Sequence, residues 1–366
     1  VQETTRLAAL IQERIDDELS RHRSELEELG PDGAPVLDEA REFLTGGKRL
    51  RARFAALGFQ AVQPLNLFAD PEQEFSAMLD AACALELFHA AALIHDDVID
   101  RSETRRGRLS AHHHFAKLHS SHGWRGEADH FGISTAILLG DLLQSWADEM
   151  FDRAVRAVPG QAGFGARVHF NRMRSEVAIG QYLDVLEEQQ PTFAGEAEQL
   201  ERSTRVLVYK SAKYSVEAPL LIGAALAGAA EEQEQALREF GLPVGVAFQL
   251  RDDLLGVFGD TAVTGKPSGD DLIEGKRTVL VTLARQALPA TQQRVFDDMI
   301  GDRELDSEQL GMLQHTITMS GAVTQVEQMI TRNVDRAEAA LDFAPLDKGA
   351  RERLIELAHL ATKRTA

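Results

Sequence analysis

Cysteine is nearly missing from this chain: Cys83 is the only one among 366 residues. No intramolecular disulfide can form, and no cysteine-based zinc site can be built. Cys83 itself lies in the apolar run AACALELF, where a small buried thiol is expected rather than a nucleophile. Aromatic residues are scarce at 6%, and alternating runs bounded by Asn-Gly or Asp-Gly turns are absent, which argues against a β fold. Long apolar runs are also lacking. The longest run of small apolar residues, APLLIGAALAGAA at 218–230, has 13 residues; that suits a core helix and is too short to span a bilayer, so no stable membrane insertion is expected. Positive charge is in deficit: 39 Lys and Arg against 58 Asp and Glu leave a formal net charge of −19. Such a chain meets nucleic acid or an anionic membrane against its own field, so neither is an expected partner. The opening VQETTRLAALIQERIDDELSRH mixes acids, bases and apolar residues at helical spacing and does not read as a signal or transit peptide. A reducing, cytoplasmic setting is the expectation.

What is present is helix. Hydrophobic residues make up 44% and charged residues 27%, enough apolar material for a real core. Apolar positions recur at three and four, as at Leu7, Leu10, Ile11, Ile15 and Leu19. The pattern predicts helices near 3–30, 34–60, 74–100, 133–157, 165–189, 196–228, 231–258, 275–287, 291–301, 306–319, 321–342 and 348–364. No repeat and no convincing linker appears, so a single all-α domain over 1–366 is expected.

Acidic clusters close two of these helices. In LIHDDVIDRSETRRG (93–107), an apolar helix runs straight into Asp96, Asp97 and Asp100. At about 100° per residue, Asp97 lies about 100° from Asp96 and Asp100 about 40° from it. Acids at a helix C-terminus oppose the dipole and repel one another, so a solvated helix end explains them poorly. Mg²⁺ explains them better, because it takes oxygen ligands and commonly joins one or two carboxylates to substrate phosphates. A second pair, Asp252 and Asp253, follows the apolar run of GVAFQLRDDLLGVFGD (245–260); four residues after Asp252 stands Gly256 rather than an acid.

The bases gather close by in sequence. GGKRLRAR (46–53) carries Lys48 and Arg51 on one helix face, behind glycines that could seat a phosphate. RRGR (105–108), YKSAKY (209–214) and TGKPSGDDLIEGKR (264–277) add Arg105, Arg106, Lys210, Lys266 and Lys276. One polyanion bridged by metal and another held by bases alone would account for this. His89, seven residues before Asp96, is either a hydrogen-bonded core residue or part of the acid face. The histidines of HHHFAKLHSSHGW (112–124) point in different directions and no HExxH is present, so zinc is not expected there.

Together these segments resemble the trans-isoprenyl diphosphate synthases, or polyprenyl synthetases, most of all the bacterial geranylgeranyl diphosphate synthases. The likeness is carried by GGKRLR, DDVID followed by RRG, and FQLRDD, with smaller matches at GDLL (140–143), GQYLD (180–184) and KSAKY. It implies one large helical bundle around a central cavity, of the isoprenoid synthase type. It also implies a chain-elongating prenyltransferase that condenses isopentenyl diphosphate with a dimethylallyl, geranyl or farnesyl diphosphate. By the same resemblance, Asp96, Asp100 and Asp252 would ligate Mg²⁺, three ions in all when substrate is bound, with Asp97 and Asp253 in support. Arg105, Lys210, Ser211, Gln249, Lys266 and Lys276 would hold the allylic diphosphate. Lys48, Arg51, His89 and Arg106 would bind isopentenyl diphosphate. A homodimer is implied as well. Phe88, Ala91 and Ala92, below Asp96 on its helix, would floor the product pocket; two alanines leave room for a chain near geranylgeranyl, and Phe88 would stop it. Two positions depart from the pattern: Gly256 replaces the last acid of the second motif, and Ala52 stands where proline is common. A class I terpene cyclase shares the first motif but leaves GGKRLR, His89 and Arg106 unexplained. A non-catalytic partner subunit has only Gly256 in its favour.

Overall fold

The apolar stripes become helix faces. In the computed structural model, which describes residues 2–26, 28, 30–189, 195–260 and 268–363, helix α1 (Gln2–Leu26) buries Leu7, Leu10, Ile11, Ile15 and Leu19, as their spacing requires. The all-α expectation holds, with one small exception described below. The chain divides into two compact units: residues 1–167 with 219–229, and residues 168–218 with 230–366.

In the first unit the expected helix 34–60 is broken. It forms α2 (Ala34–Phe43) and α3 (Leu50–Gln60). Between them Gly46, Gly47 and Arg49 all take positive φ, at 73°, 91° and 49°, which a continuous helix cannot accommodate. Arg49 holds this bend from inside: it is buried and donates to Glu86 Oε2 at 3.2 Å, to Gln12 Oε1 at 2.8 Å and to the Leu44 carbonyl. A single turn, α4 (Pro71–Glu74), precedes α5 (Ser76–Asp100), the expected 74–100 helix. α5 is the one helix among the described residues long and apolar enough to cross a bilayer, yet 83% of its most apolar window is buried inside the protein, as in a core helix. It runs along α7 (Ala128–Ala157), with Ala84, Leu85 and Leu87 of one and Leu139, Leu143 and Met150 of the other buried. Cys83 lies in the same core, and burial pushes its thiol up, away from nucleophilic chemistry.

Two features were not foreseen. The histidine-rich segment forms a helix of its own, α6 (Ala111–Ser121). Ahead of it, Thr104–Arg105 and Arg108–Leu109 pair antiparallel, β1 with β2, in the register Thr104↔Leu109 and Arg105↔Arg108. The two loop residues, Arg106 and Gly107, have φ of 54° and 75°, the signature of a type I′ turn, which needs positive φ twice. The RRG triplet is therefore a hairpin tip.

α8 (Gln161–Gln189) spans the boundary between the units. The expected helix 196–228 appears in three pieces: α9 (Glu196–Val206), a π-helical segment Leu207–Glu217, and α10 (Ala218–Leu226). π-helical turns concentrate at functional sites, and this one carries Lys210 and Ser211. α11 (Glu231–Phe258) matches its expected span and continues through Pro243. A short α12 (Asp270–Glu274) and α13 (Val279–Gln286) replace the expected helix 275–287. The second unit is completed by α14 (Ala290–Met299), α15 (Ser307–Met319), α16 (Ala322–Leu341) and α17 (Lys348–Thr362). Leu250, Leu254 and Val257 of α11 share a core with Leu272, Leu280, Ile317 and Val326.

Candidate active site

The first acidic cluster closes α5. Arg101 turns left-handed at the helix end (φ 56°) and the Ser102 amide donates back to the Asp97 carbonyl at 2.9 Å. Helical spacing then separates three roles. Asp97 is completely buried, and the hairpin brings Arg105 to it: Nε donates to Oδ1 at 2.9 Å and to Oδ2 at 3.1 Å, with a second guanidinium nitrogen also on Oδ1. Bidentate pairing of this kind is what makes a buried carboxylate tolerable. Asp96 and Asp100, four apart, share the neighbouring face; Asp96 is half-buried and lies 3.8 Å from Arg105, and Asp100 is 5% exposed. Of the residues expected to floor a product pocket, Phe88 and Ala91 are buried, while Ala92, one turn below Asp96, is only half-buried.

The basic residues of the first unit converge on His89. Burial and then Arg51, Arg106, Arg105 and Arg49, in that order, push its imidazole well below the usual histidine range, so it is neutral at pH 7. The hairpin tip reaches the glycine bend as well. The Arg106 guanidinium lies 3.8 Å from where a Cβ on Gly47 would sit, and it donates to the Phe43 carbonyl at 3.4 Å. Lys48 is exposed in the same bend. Three distant segments, 46–51, His89 and 105–106, are thus gathered around one cationic spot. Arg49, in the same GGKRLR segment, faces inward as a structural residue.

The second unit gathers its own set. Asp253 is buried, and Gln249 Nε2, one turn earlier on α11, donates to its Oδ1 at 2.8 Å. Burial, and then the charges of Asp271, Asp252 and Asp184, push the Asp253 carboxyl up to about 8. It is therefore mostly protonated at neutral pH, and a nearby divalent cation would reverse that. Lys210, on the π-helical segment, pairs with Asp184. The approach is close: a Cβ on Gly180 would come within 2.3 Å of the Lys210 amide nitrogen, which gives the Gly and Asp of GQYLD a shared purpose. Lys276 pairs with Glu274 at 2.5 Å and lies 3.5 Å from Asp271. Ser211 is half-buried beside Lys210. Lys266 lies outside the described residues. Asp184 and Asp271 were quoted in the sequence without a role; only the fold brings them beside Asp253.

The donors at both motifs are carboxylate oxygens, the chemistry of a hard cation such as Mg²⁺ rather than of zinc or copper. Among the described residues, the one group of three whose ligand atoms converge within 4.8 Å is Glu18, His22 and Glu149, which belongs to neither motif. Glu18 there is already paired with Arg21 and with Arg153 at 2.8 Å, so its charge is met without a metal.

Comparison with known proteins agrees with this chemistry. The family model for polyprenyl synthetase matches residues 34–317. A geranylgeranyl diphosphate synthase of Methanosarcina mazei is 32% identical over 341 residues, covering 92% of each chain. An octaprenyl diphosphate synthase of Escherichia coli is 30% identical over 322 residues, 87% of this chain and 86% of that one. Among solved structures, the geranylgeranyl pyrophosphate synthase of Corynebacterium glutamicum, complexed with isoprenyl diphosphate and magnesium, superposes with a TM-score of 0.90 at 34% identity over 99% of both chains.

Proposed function

This chain belongs to the polyprenyl synthetase family of trans-prenyltransferases, and on that premise we propose that it condenses isopentenyl diphosphate with an allylic diphosphate in a Mg²⁺-dependent reaction. The observation that carries the reading is the cationic spot around His89. Arg51 and Arg106 gather there around a neutral imidazole, with Lys48 in the same bend, while Arg49 is held behind by Glu86 and Arg105 by Asp97; this set of bases suits a diphosphate bound without metal. A cyclase, with a single diphosphate to bind, has no use for it.

The residue roles follow from the family pattern. Lys48, Arg51 and Arg106 bind isopentenyl diphosphate, with His89 as a neutral hydrogen-bonding partner. By the same pattern Asp96 and Asp100 of the first motif and Asp252 of the second would hold the metal of the allylic diphosphate, with Asp97 and Asp253 in support. Lys210, Ser211, Gln249, Lys266 and Lys276 hold that diphosphate directly. Arg105 does so too while fixing Asp97. When bound, Mg²⁺ supplies positive charge against the departing diphosphate. The bases add fixed charge at the same leaving group, which favours ionisation to an allylic cation. The isopentenyl double bond attacks that cation, and a proton is lost to the released diphosphate.

The wall of α5 sets the length. Ala92 is small and half-buried on the face of Asp96, and buried Phe88 is one turn further down. We place the product near geranylgeranyl, the length named for one relative, although the relatives also include geranylfarnesyl and octaprenyl diphosphate synthases. Exposed Ile133, Ile137 and Leu138 on α7 offer an apolar face for a second copy, in keeping with a homodimer, and a cytoplasmic setting goes with this reading. Incubation with Mg²⁺, isopentenyl diphosphate and each allylic primer in turn tests the whole. Linear prenyl diphosphates are expected. A cyclised hydrocarbon, or turnover only with a partner protein, would overturn the proposal.

A further inference from the structure

Gly256 stands where the second motif should carry its last acid, and the structure shows what fills the space. A Cβ built on Gly256 would come within 1.9 Å of Asp271 Oδ2 and 2.5 Å of its Cγ. An aspartate at 256 would put its own carboxyl carbon about 1.5 Å from that Cβ. The carboxylate of Asp271 therefore sits in the volume that the carboxylate of residue 256 would occupy, delivered from a different segment.

Its placement is built. The Gly269 amide, at the start of α12, donates to the Gly256 carbonyl at 3.1 Å. Gln314 Nε2 grips both sides of the join, donating to the Val257 carbonyl at 2.7 Å and to Ser268 Oγ at 3.2 Å. Leu272 is fully buried in the core of this unit, so α12 cannot rotate without exposing it. Lys276 Nζ lies 3.5 Å from Asp271 Oδ1, on the oxygen further from Gly256.

We propose that Asp271 is the third acid of the second aspartate motif in this chain, serving the diphosphate-bound divalent cation from the place left by the missing side chain at 256. The proposal rests on the reading of that motif as a metal site. It explains why residue 256 must be glycine here: any side chain would evict the carboxylate. It also removes the one feature that favoured a non-catalytic subunit, because the acid is supplied rather than lost.

The test is binding of Mn²⁺, followed by electron paramagnetic resonance, to the full-length protein in the presence of inorganic pyrophosphate. Asp271→Asn should weaken pyrophosphate-dependent Mn²⁺ binding by about 10–100-fold. The double variant Gly256→Asp/Asp271→Ala, which moves the carboxylate back to the motif, should bind within about 5-fold of the parent, on the same scale. Asp271→Asn binding as tightly as the parent overturns the inference. So does a folded double variant no stronger than Asp271→Asn, since Asp271 would then act only as packing. Should Asp271→Asn fail to fold, the double variant alone decides. If the parent protein shows no pyrophosphate-dependent Mn²⁺ binding, the metal reading itself fails and the inference with it.

Discussion

The two aspartate motifs look alike in sequence and are built differently. Each presents a buried second aspartate beneath a half-buried first one: Asp97 behind Asp96, and Asp253 behind Asp252. Asp97 is met by the guanidinium of Arg105, a full opposite charge brought in by a hairpin eight residues on. Asp253 is met by the neutral amide of Gln249 on its own helix and is crowded by three other acids, so its carboxyl is pushed up to about 8. One unit stabilises a buried anion with a cation. The other holds a buried acid that a bound divalent cation would turn into an anion. A short acidic pattern thus fixes the presence of carboxylates but not their resting charge, which depends on what the fold places behind them.

The largest effect should come from the front acids. Asp96→Ala and Asp252→Ala should each lower turnover by about 10²–10³-fold, the scale of losing one preorganised electrostatic group at a leaving-group site, measured as radiolabelled isopentenyl diphosphate incorporated. If only one of the two mattered, the motifs would not be equivalent parts of one reaction. The supporting residues should then differ. Arg105→Met takes the guanidinium away from the buried Asp97 carboxylate and should cost about 3–5 kcal/mol in urea unfolding. Gln249→Met removes one hydrogen bond from a protonated Asp253 and should cost only about 1–2 kcal/mol. Equal losses would break the contrast between the two sites.

The helices were readable from spacing alone, because an amphipathic stripe buried on one side is a local property. α11 and α5 came out almost where their patterns put them. The breaks did not. The bend at 44–49 depends on Arg49 turning inward to Glu86, a contact 37 residues away, and no local pattern announces it. The hairpin at 104–109 is too short to show alternation. In the site, the motif residues were legible because their types and order resemble a family. Asp184 and Asp271 acquire meaning only when α8 and α12 fold onto α11 and its neighbouring π-helical segment. The same holds for His89: its sequence position fits either core or function, and its neutral state follows only once the fold buries it and then sets arginines near it.

The wall of α5 offers a smaller and more graded change. Ala92→Phe should shorten the principal product by one or more isoprene units, because the half-buried side has room for the ring and the new ring lies one turn below Asp96. Phe88→Ala should lengthen it, at a stability cost of about 3–5 kcal/mol for the buried ring. Chromatography of the dephosphorylated products reads both. An unchanged length with Ala92→Phe would remove α5 from the pocket and leave the first motif with a metal role alone.

The smallest effect separates the basic half of the first unit from its acidic half. His89 and His112 are both held below the ordinary histidine range, His89 by burial and its arginines, His112 to about 4 by burial and then by His113. In the unfolded chain each takes up a proton near pH 6.5. Between those values the unfolded state binds more protons than the folded one, so stability must fall as the pH falls. The contribution is complete above about pH 6.5 and, for His112, is lost as the pH drops towards 4, amounting to about 1–3 kcal/mol. The raised carboxyl of Asp253 works the other way over the same range, so the histidine contribution is read as a difference: in urea unfolding at pH 7.5, 6 and 5, His112→Asn and His89→Gln should each lose less stability on acidification than the parent. A slope untouched by His89→Gln would mean that the imidazole takes up its proton as readily in the folded protein as in the unfolded chain, against the effect of burial and of the nearby arginines.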